Sequence, residues 1–379
     1  MKKVISLFFA ALICLLTIIP VSALDLKEPK VEMNVKSAIL MDANTGTVLY
    51  AYNENERLAP ASVTKIMTLL LVFEAIDCGK LSLDDILTVS ENAASMGGSQ
   101  IFLEPGETMS VTDLLKSVII ASANDAAVTL AEHVSGSEEA FVEEMNKRSK
   151  ELGMENTSFE NVTGLDDETV NHLTTAKDIA IMSRELLKHE KITDYTKIWM
   201  DTVRNGEFGL TNTNRLVRFY RGITGLKTGY TSGAGFCISA TAKRENMHLI
   251  AVIMGAESSD MRNMYASKLL DFGFANYSIY ENEEGNAGSI RVLGGESDFV
   301  STKYDKLELL VNKGSEGKIT YSIELPESVC APVIKDSVCG KINYYLDGEK
   351  IAESNIYYTS NIQKIDFWSF IGRILNKIF

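Results

Sequence analysis

The chain is 379 residues long, enough for two or three domains and for one large core beneath a single site. Its 37 basic and 51 acidic residues give a formal net charge of −14, which disfavours attraction to polyanions and excludes nucleic acid as the partner. Five cysteines, one of them inside the N-terminal apolar stretch, are too sparse in so long a chain to form a disulfide scaffold.

Residues 1–23 read as a secretory signal peptide: Lys2 and Lys3, an apolar run to Ile19, then Pro20-Val21-Ser22-Ala23 with cleavage expected after Ala23. The run falls short of the roughly 20 residues that span a bilayer, and Pro20 breaks it. Cys14 follows Ile13 where lipidation would need a small residue, so no lipid is expected there. Ser37 to Tyr52 predicts a hairpin, with Asn44 and Gly46 in its turn. Ala61 to Cys78 is apolar and free of Gly and Pro, with Pro60 and Ser62 as start signals and Gly79 as a stop, and predicts a largely buried helix. Two further helical stretches flank Ser122-Ala123-Asn124 within Val111 to Val134, and Ala140 to Leu152 predicts an amphipathic helix.

Phe236 to Ala242 and Leu249 to Met254 are apolar runs separated by Lys243-Arg244-Glu245-Asn246, a hairpin of core strands, and Ala266 to Phe272 predicts a helix packed on them. Cys237 falls in such a strand, where burial accounts for it. Strands at both ends of a helical middle make an α+β domain whose terminal segments share one antiparallel sheet, expected over 24–280. The acidic, Gly-containing stretch from Tyr280 to Asn286 reads as a linker. Beyond it, short β-patterned runs such as Leu307 to Val311, Ile319 to Ile323 and Ile342 to Leu346, the last turning at Asp347-Gly348, predict a small β-sandwich domain over 286–361. Cys330 and Cys339 are the one pair near enough in sequence to suggest a bridge. In the last segment, 362–379, Asp366 to Phe379 places Phe367, Phe370, Ile371, Ile374, Leu375 and Ile378 on one helical face. At 1.5 Å per residue such a helix spans only about 21 Å, which predicts an interfacial membrane anchor.

The chain holds no Gly-x-Ser-x-Gly elbow, His-Glu-x-x-His site, Cys-x-x-Cys pair or phosphate-cradling Gly-rich loop, so neither a metal nor a cofactor is expected. Ser62-Val63-Thr64-Lys65 places a hydroxyl and an amine one turn apart on one helical face, where the amine can take the hydroxyl proton. A neutral Lys65 requires a depressed pKa, which burial and a neighbouring cation such as Lys227 would supply. Ser315-Glu316-Gly317-Lys318 fits the same pattern but lies in a turn with no helix to organise it. Ser122 and Asn124 offer a hydroxyl for proton relay and an amide for a substrate carbonyl, whereas Ser90-Glu91-Asn92 has the same spacing and reads as a helix cap. Lys227-Thr228-Gly229 leads into the core hairpin: Lys227 and Thr228 can hold an anion, and Gly229 lets backbone approach closely.

Ser-x-x-Lys, Ser-x-Asn and Lys-Thr-Gly in this order are the signature of penicillin-binding proteins and class A β-lactamases. The chain resembles the low-molecular-mass penicillin-binding proteins, serine D-alanyl-D-alanine carboxypeptidases, also at Phe102-Leu103-Glu104-Pro105-Gly106-Glu107, Gly164-Leu165-Asp166, His172-Leu173-Thr174-Thr175-Ala176 and Gly225-Leu226-Lys227-Thr228-Gly229-Tyr230-Thr231. The resemblance implies a transpeptidase-like domain of antiparallel sheet and helices. It also implies that Ser62 attacks the D-Ala-D-Ala carbonyl of a peptidoglycan stem peptide and is acylated by β-lactams, with Lys65 as base. Ser122 and Lys227 would relay protons, Asn124 would orient the peptide, and the backbone N–H groups of Ser62 and Tyr230 would form the oxyanion hole. Arg262 is implied as a carboxylate partner, by its place after the hairpin alone. Many members carry histidine where this chain has Tyr230, and His172 is expected to be structural.

The resemblance further implies an exported enzyme at the outer face of the bacterial cytoplasmic membrane. A β-lactamase of the same fold would need a carboxylate for deacylation, commonly in Glu-x-x-Leu-Asn; Glu185-Leu186-Leu187-Lys188 is as near as this chain comes. A non-catalytic wall-binding protein should have lost at least one motif, and all three stand intact.

Overall fold

The computed structural model describes residues 29, 32–165, 169–366, 368 and 371. The expected signal peptide and most of the expected C-terminal helix lie outside the described residues. Among the described residues no helix is long and apolar enough to cross a membrane. The chain divides into two compact units, one ending at Ser278 and the other beginning at Ile279.

The first unit is built on one antiparallel sheet. Strands β1 (Ser37–Asp42) and β2 (Val48–Tyr52) form the expected hairpin. Helix α1 (Lys65–Asp77) follows, then α2 (Val111–Lys116), α3 (Asn124–Ser135), α4 (Glu138–Glu151) and α5 (Ala176–Leu186). Strands β3 (Ile223–Thr231), β4 (Gly235–Arg244) and β5 (Met247–Ala256) return to the sheet, and helix α6 (Ser259–Asn276) closes the unit. The strand order is β2-β1-β5-β4-β3, so the two ends of the unit meet where β1 pairs with β5.

β1 is buried at every position and reads as an unbroken apolar run because both of its faces are covered. Ile39 and Met41 join the core built by α1, α3 and α5, and the hydroxyl of Ser183 on α5 meets that of Ser239 on β4 at 2.8 Å. Leu40 and Leu249 meet α6, whose Gly273 lies so close that a Cβ there would stand 2.4 Å from Leu249 Cδ1.

Helix α1 is the buried helix expected from composition, with Ile66, Met67, Leu70 and Val72 fully buried. It starts four residues later than expected, since Ala61–Thr64 form a 3₁₀ turn. The reason is local: Ala61 has φ +49°, a left-handed conformation costing a non-glycine residue about 1–3 kcal/mol, and the chain turns sharply there before the helix can propagate.

The second unit has a six-stranded sheet formed by β6 (Gly285–Leu293), β7 (Phe299–Tyr304), β8 (Ile319–Glu324), β9 (Ser328–Cys330), β10 (Val338–Leu346) and β11 (Glu349–Tyr358). Its order is β8-β10-β11-β7-β6-β9, antiparallel except for the β6–β9 edge. A short pair, Tyr277–Asn282 with Leu307–Asn312, packs Tyr280, Leu307 and Leu309 against Ile342 and Tyr344. The stretch expected to be a linker is therefore mostly strand. Its apolar alternation, with Tyr277 and Ile279 inward, outweighs the acidic residues that suggested a solvated connection. Cys330 and Cys339 are both free thiols, as are Cys78 and Cys237.

Candidate active site

Ser62 Oγ forms no helix cap; it accepts a hydrogen bond from Lys65 Nζ at 3.0 Å. The same amine reaches Asn124 Oδ1 at 2.6 Å and the Thr163 carbonyl at 2.8 Å, and the lysine is wholly buried. As an ammonium it donates to all three acceptors. As an amine it keeps two protons for the two carbonyl oxygens and directs its lone pair at Ser62. Burial holds the Lys65 pKa well below the usual lysine value, the charge of Lys227 lowers it further, and Asp125 opposes them. Asp125 is itself placed by accepting from the N–H groups of Ile101 and Leu103.

Asn124 opens α3. Its Oδ1 serves Lys65 and its Nδ2 donates to Gly97 O at 2.7 Å, so both ends of the amide bind within the protein. A π-helical turn, Ser117–Ala121, precedes Ser122, which has φ +63° and an Oγ that is buried without a hydrogen-bond partner. A strained residue with an unsatisfied hydroxyl is costly unless something else completes it.

β3 supplies the other wall. A Cβ on Gly229 would stand 2.9 Å from both Pro60 O and Ser62 N, so only glycine lets this strand lie against the Ser62 turn. Thr228 Oγ1 donates to Thr213 Oγ1 at 2.8 Å. Lys227 is 1% exposed, and burial followed by the charge of Arg262 brings its pKa down to about 7. Tyr230 is more than half exposed and stacks on Phe236, with ring centroids 4.3 Å apart. Arg262, from the first turns of α6, is buried beside the same ring at 6.0 Å, and burial brings its pKa down to about 10.

Ser62, Ser122, Thr228, Gly229, Tyr230 and Arg262 line one cleft of about 550 Å³, while Lys65, Asn124 and Lys227 lie buried behind it. All nine candidates thus belong to one constellation. Among the described residues Lys65, Lys227 and Arg262 have no carboxylate within ion-pair distance, and no Asp or Glu lines the cleft. Arg262, joined by Lys227 when it is protonated, focuses a field that favours an anion.

Residues outside the three motifs also contribute. Thr213 orients Thr228, and the Thr163 carbonyl holds Lys65. Gly164, at φ +82°, sits under the Ser62 turn, where a Cβ would stand 1.9 Å from Ala61 O. His172 reaches Thr64 rather than Ser62: its Nδ1 accepts from Glu160 N–H, so Nε2 carries the proton and donates to Thr64 Oγ1 at 2.8 Å. The alternative matches stay apart. Ser90 Oγ caps a helix by accepting from Ala93 N–H, and Ser315 and Lys318 lie in a 3₁₀ turn of the second unit.

Residues 24–258 match the family model for D-alanyl-D-alanine carboxypeptidase of peptidase family S11, and residues 274–364 match the C-terminal domain of penicillin-binding protein 5. The chain is 46% identical over 347 residues to D-alanyl-D-alanine carboxypeptidase DacF of Bacillus subtilis, covering 90% of this chain and 89% of that protein. It is 33% identical to DacC of Escherichia coli, over 89% and 88% of the two chains. The fold is similar to the crystal structure of penicillin-binding protein 5 from Haemophilus influenzae, with a TM-score of 0.78 at 33% identity over 89% of this chain and all of that one.

Proposed function

The chain belongs to the D-alanyl-D-alanine carboxypeptidase family and is a serine-type enzyme of that kind; from this premise we propose that it hydrolyses the terminal D-Ala-D-Ala bond of peptidoglycan stem pentapeptides through an acyl-enzyme on Ser62. The observation that carries the reading is the 3.0 Å contact from Lys65 Nζ to Ser62 Oγ at the wall of the cleft that Thr228 and Arg262 also line.

Neutral Lys65 takes the Ser62 proton as Oγ attacks the carbonyl, and the N–H groups of Ser62 and Tyr230 receive the oxyanion. Ser122, whose hydroxyl has no partner within the protein, passes a proton to the departing D-alanine together with Lys227. Water then cleaves the ester, with Lys65 again as base. Removing the terminal D-alanine leaves a stem unable to donate in cross-linking.

Export through residues 1–23 and membrane attachment through the segment after Lys364 complete the proposal, both on sequence pattern alone. The expected limits at 280 and 286–361 shift, because the chain divides after Ser278, and Ile362 and Lys364 bridge to Val333 and Gly295 within the second unit.

The cation cluster makes the enzyme an exopeptidase. Lys227, Thr228 and Arg262 hold the free carboxylate of the substrate, and a charge-assisted hydrogen bond contributes roughly 1.5–3 kcal/mol. A D-Ala-D-Ala peptide with a C-terminal amide should therefore show kcat/KM about 10- to 150-fold below that of the acid, and Lys227→Ala should narrow the difference. Equal D-alanine and D-alaninamide release rates in the unmutated enzyme would end the carboxylate role of these residues.

A further inference from the structure

We propose that Asn161 is a positioning residue for Lys65: its side-chain amide fixes the Thr163 carbonyl that, with Asn124, aims the Lys65 amine at Ser62. Asn161 Oδ1 accepts from Thr163 N–H at 3.1 Å, Thr163 Oγ1 at 3.2 Å and Gly164 N–H at 2.7 Å, and Nδ2 donates to Leu165 O at 2.8 Å. One side chain thus makes four bonds across three consecutive residues, one of which supplies an acceptor for the catalytic amine.

The flank of this loop has its own anchors. Val162 O accepts from Thr68 Oγ1 on α1 at 2.7 Å, and Val162 N–H donates to Glu138 on α4 at 3.2 Å. Beyond Val162, hydrogen bonds from Asn161 shape residues 163–165. The same residues support both sides of the nucleophile: Thr163 O meets Lys65, and Gly164 fits under Ala61 O, directly before Ser62. An amine must keep two acceptors in place for its lone pair to point at a third atom, and Asn124 provides only one of them. Without Asn161 the second acceptor keeps only the Leu165 N–H bond to Thr163 Oγ1 and the anchors at Val162, and the lone pair is less tightly directed.

The charged groups facing Lys65 are Lys227 from β3 and Asp125 from α3. Glu138 meets the loop at Val162, and His172 stands behind Thr64. None of these contacts is made by Asn161, so changing it alters the amine chiefly through Thr163.

The inference rests on Lys65 acting as base for Ser62. Its test is the rate of single-turnover acylation by a penicillin as a function of pH, in the unmutated chain, Asn161→Ala and Asn161→Asp, each normalised to its titrated reactive fraction. In Asn161→Ala the plateau rate should fall about ten- to a hundredfold, and the acid limb should move to lower pH because the ammonium has lost an acceptor. Asn161→Asp keeps the oxygen that serves Thr163 and Gly164, loses the donor to Leu165 O and adds negative charge, so it should recover part of the rate and move the limb to higher pH. If Asn161→Ala does not fold, Asn161→Gln takes its place, its displaced amide expected to lower the plateau rate and move the limb in the direction predicted for alanine. An unmoved limb and an unchanged plateau in whichever of these neutral variants folds, with rates differing only through the reactive fraction, overturn the positioning role. An unmutated chain that takes up no penicillin overturns both this role and the acyl-enzyme reading beneath it.

Discussion

Ser62→Ala is expected to lower kcat/KM for D-alanine release by about ten-thousandfold or more while leaving the fold intact. The size follows from the loss of the covalent route: without its nucleophile an enzyme keeps only the rate that binding and the oxyanion hole provide. Ser62 is also the cleft hydroxyl that Lys65 touches, and Ser122, the other serine of the motifs, has no hydrogen-bond partner for its Oγ. Stability should change little, because Ser62 Oγ caps no helix and Lys65 retains Asn124 and Thr163 as acceptors. Thermal melting and steady-state kinetics on one preparation separate the two effects. Activity within tenfold of the unmutated enzyme would mean that another hydroxyl attacks.

Lys65→Met should cost about a hundred- to ten-thousandfold in acylation by penicillin and in peptide turnover, the range a positioned general base supplies. Methionine fills a similar volume without charge. It leaves Asn124 Oδ1 and Thr163 O short of a donor, offset by removal of a buried cation, so the net stability change is smaller than either contribution. The pH profile gives the sharper reading. Burial lowers the Lys65 pKa, so the active neutral form accumulates as pH rises and kcat/KM climbs through an acid limb well below the ordinary lysine value. Because the charge of Lys227 contributes to that lowering, Lys227→Ala should move the limb to higher pH, and Lys65→Met should abolish it. A limb unchanged in Lys65→Met would assign it to another group.

Much of this site is legible in the order of the residues, because its strongest constraints are local. The spacing of Ser62 and Lys65 places them one turn apart whatever surrounds them, and Lys227-Thr228-Gly229 announces a strand approached closely by other backbone. The central hairpin and the buried helix follow from apolar runs between turn residues. What stayed hidden depends on distant chain segments. The Thr163 carbonyl has no sequence signature, since every residue carries one, and only the fold brings it to Lys65 across 98 positions. Asn124 reads from its motif as a grip on substrate, and nothing in the motif announces that its Oδ1 also serves Lys65 and one of its Nδ2 protons goes to Gly97 O. The left-handed backbone at Ala61 and Ser122 is equally unmarked, because neither alanine nor serine advertises that conformation. The strand at Tyr277–Asn282 is marked only by its inward alternation, which the acidic residues that follow obscure.

The acyl-enzyme on Ser62 is tested most directly by mapping a covalent adduct. The purified chain is incubated with a penicillin, quenched in acid, digested, and examined by mass spectrometry. One adduct per chain, on the peptide containing Ser62 and absent from Ser62→Ala, is the predicted result. An adduct on the peptide containing Ser122 or Ser315, or one that survives in Ser62→Ala, would contradict the account.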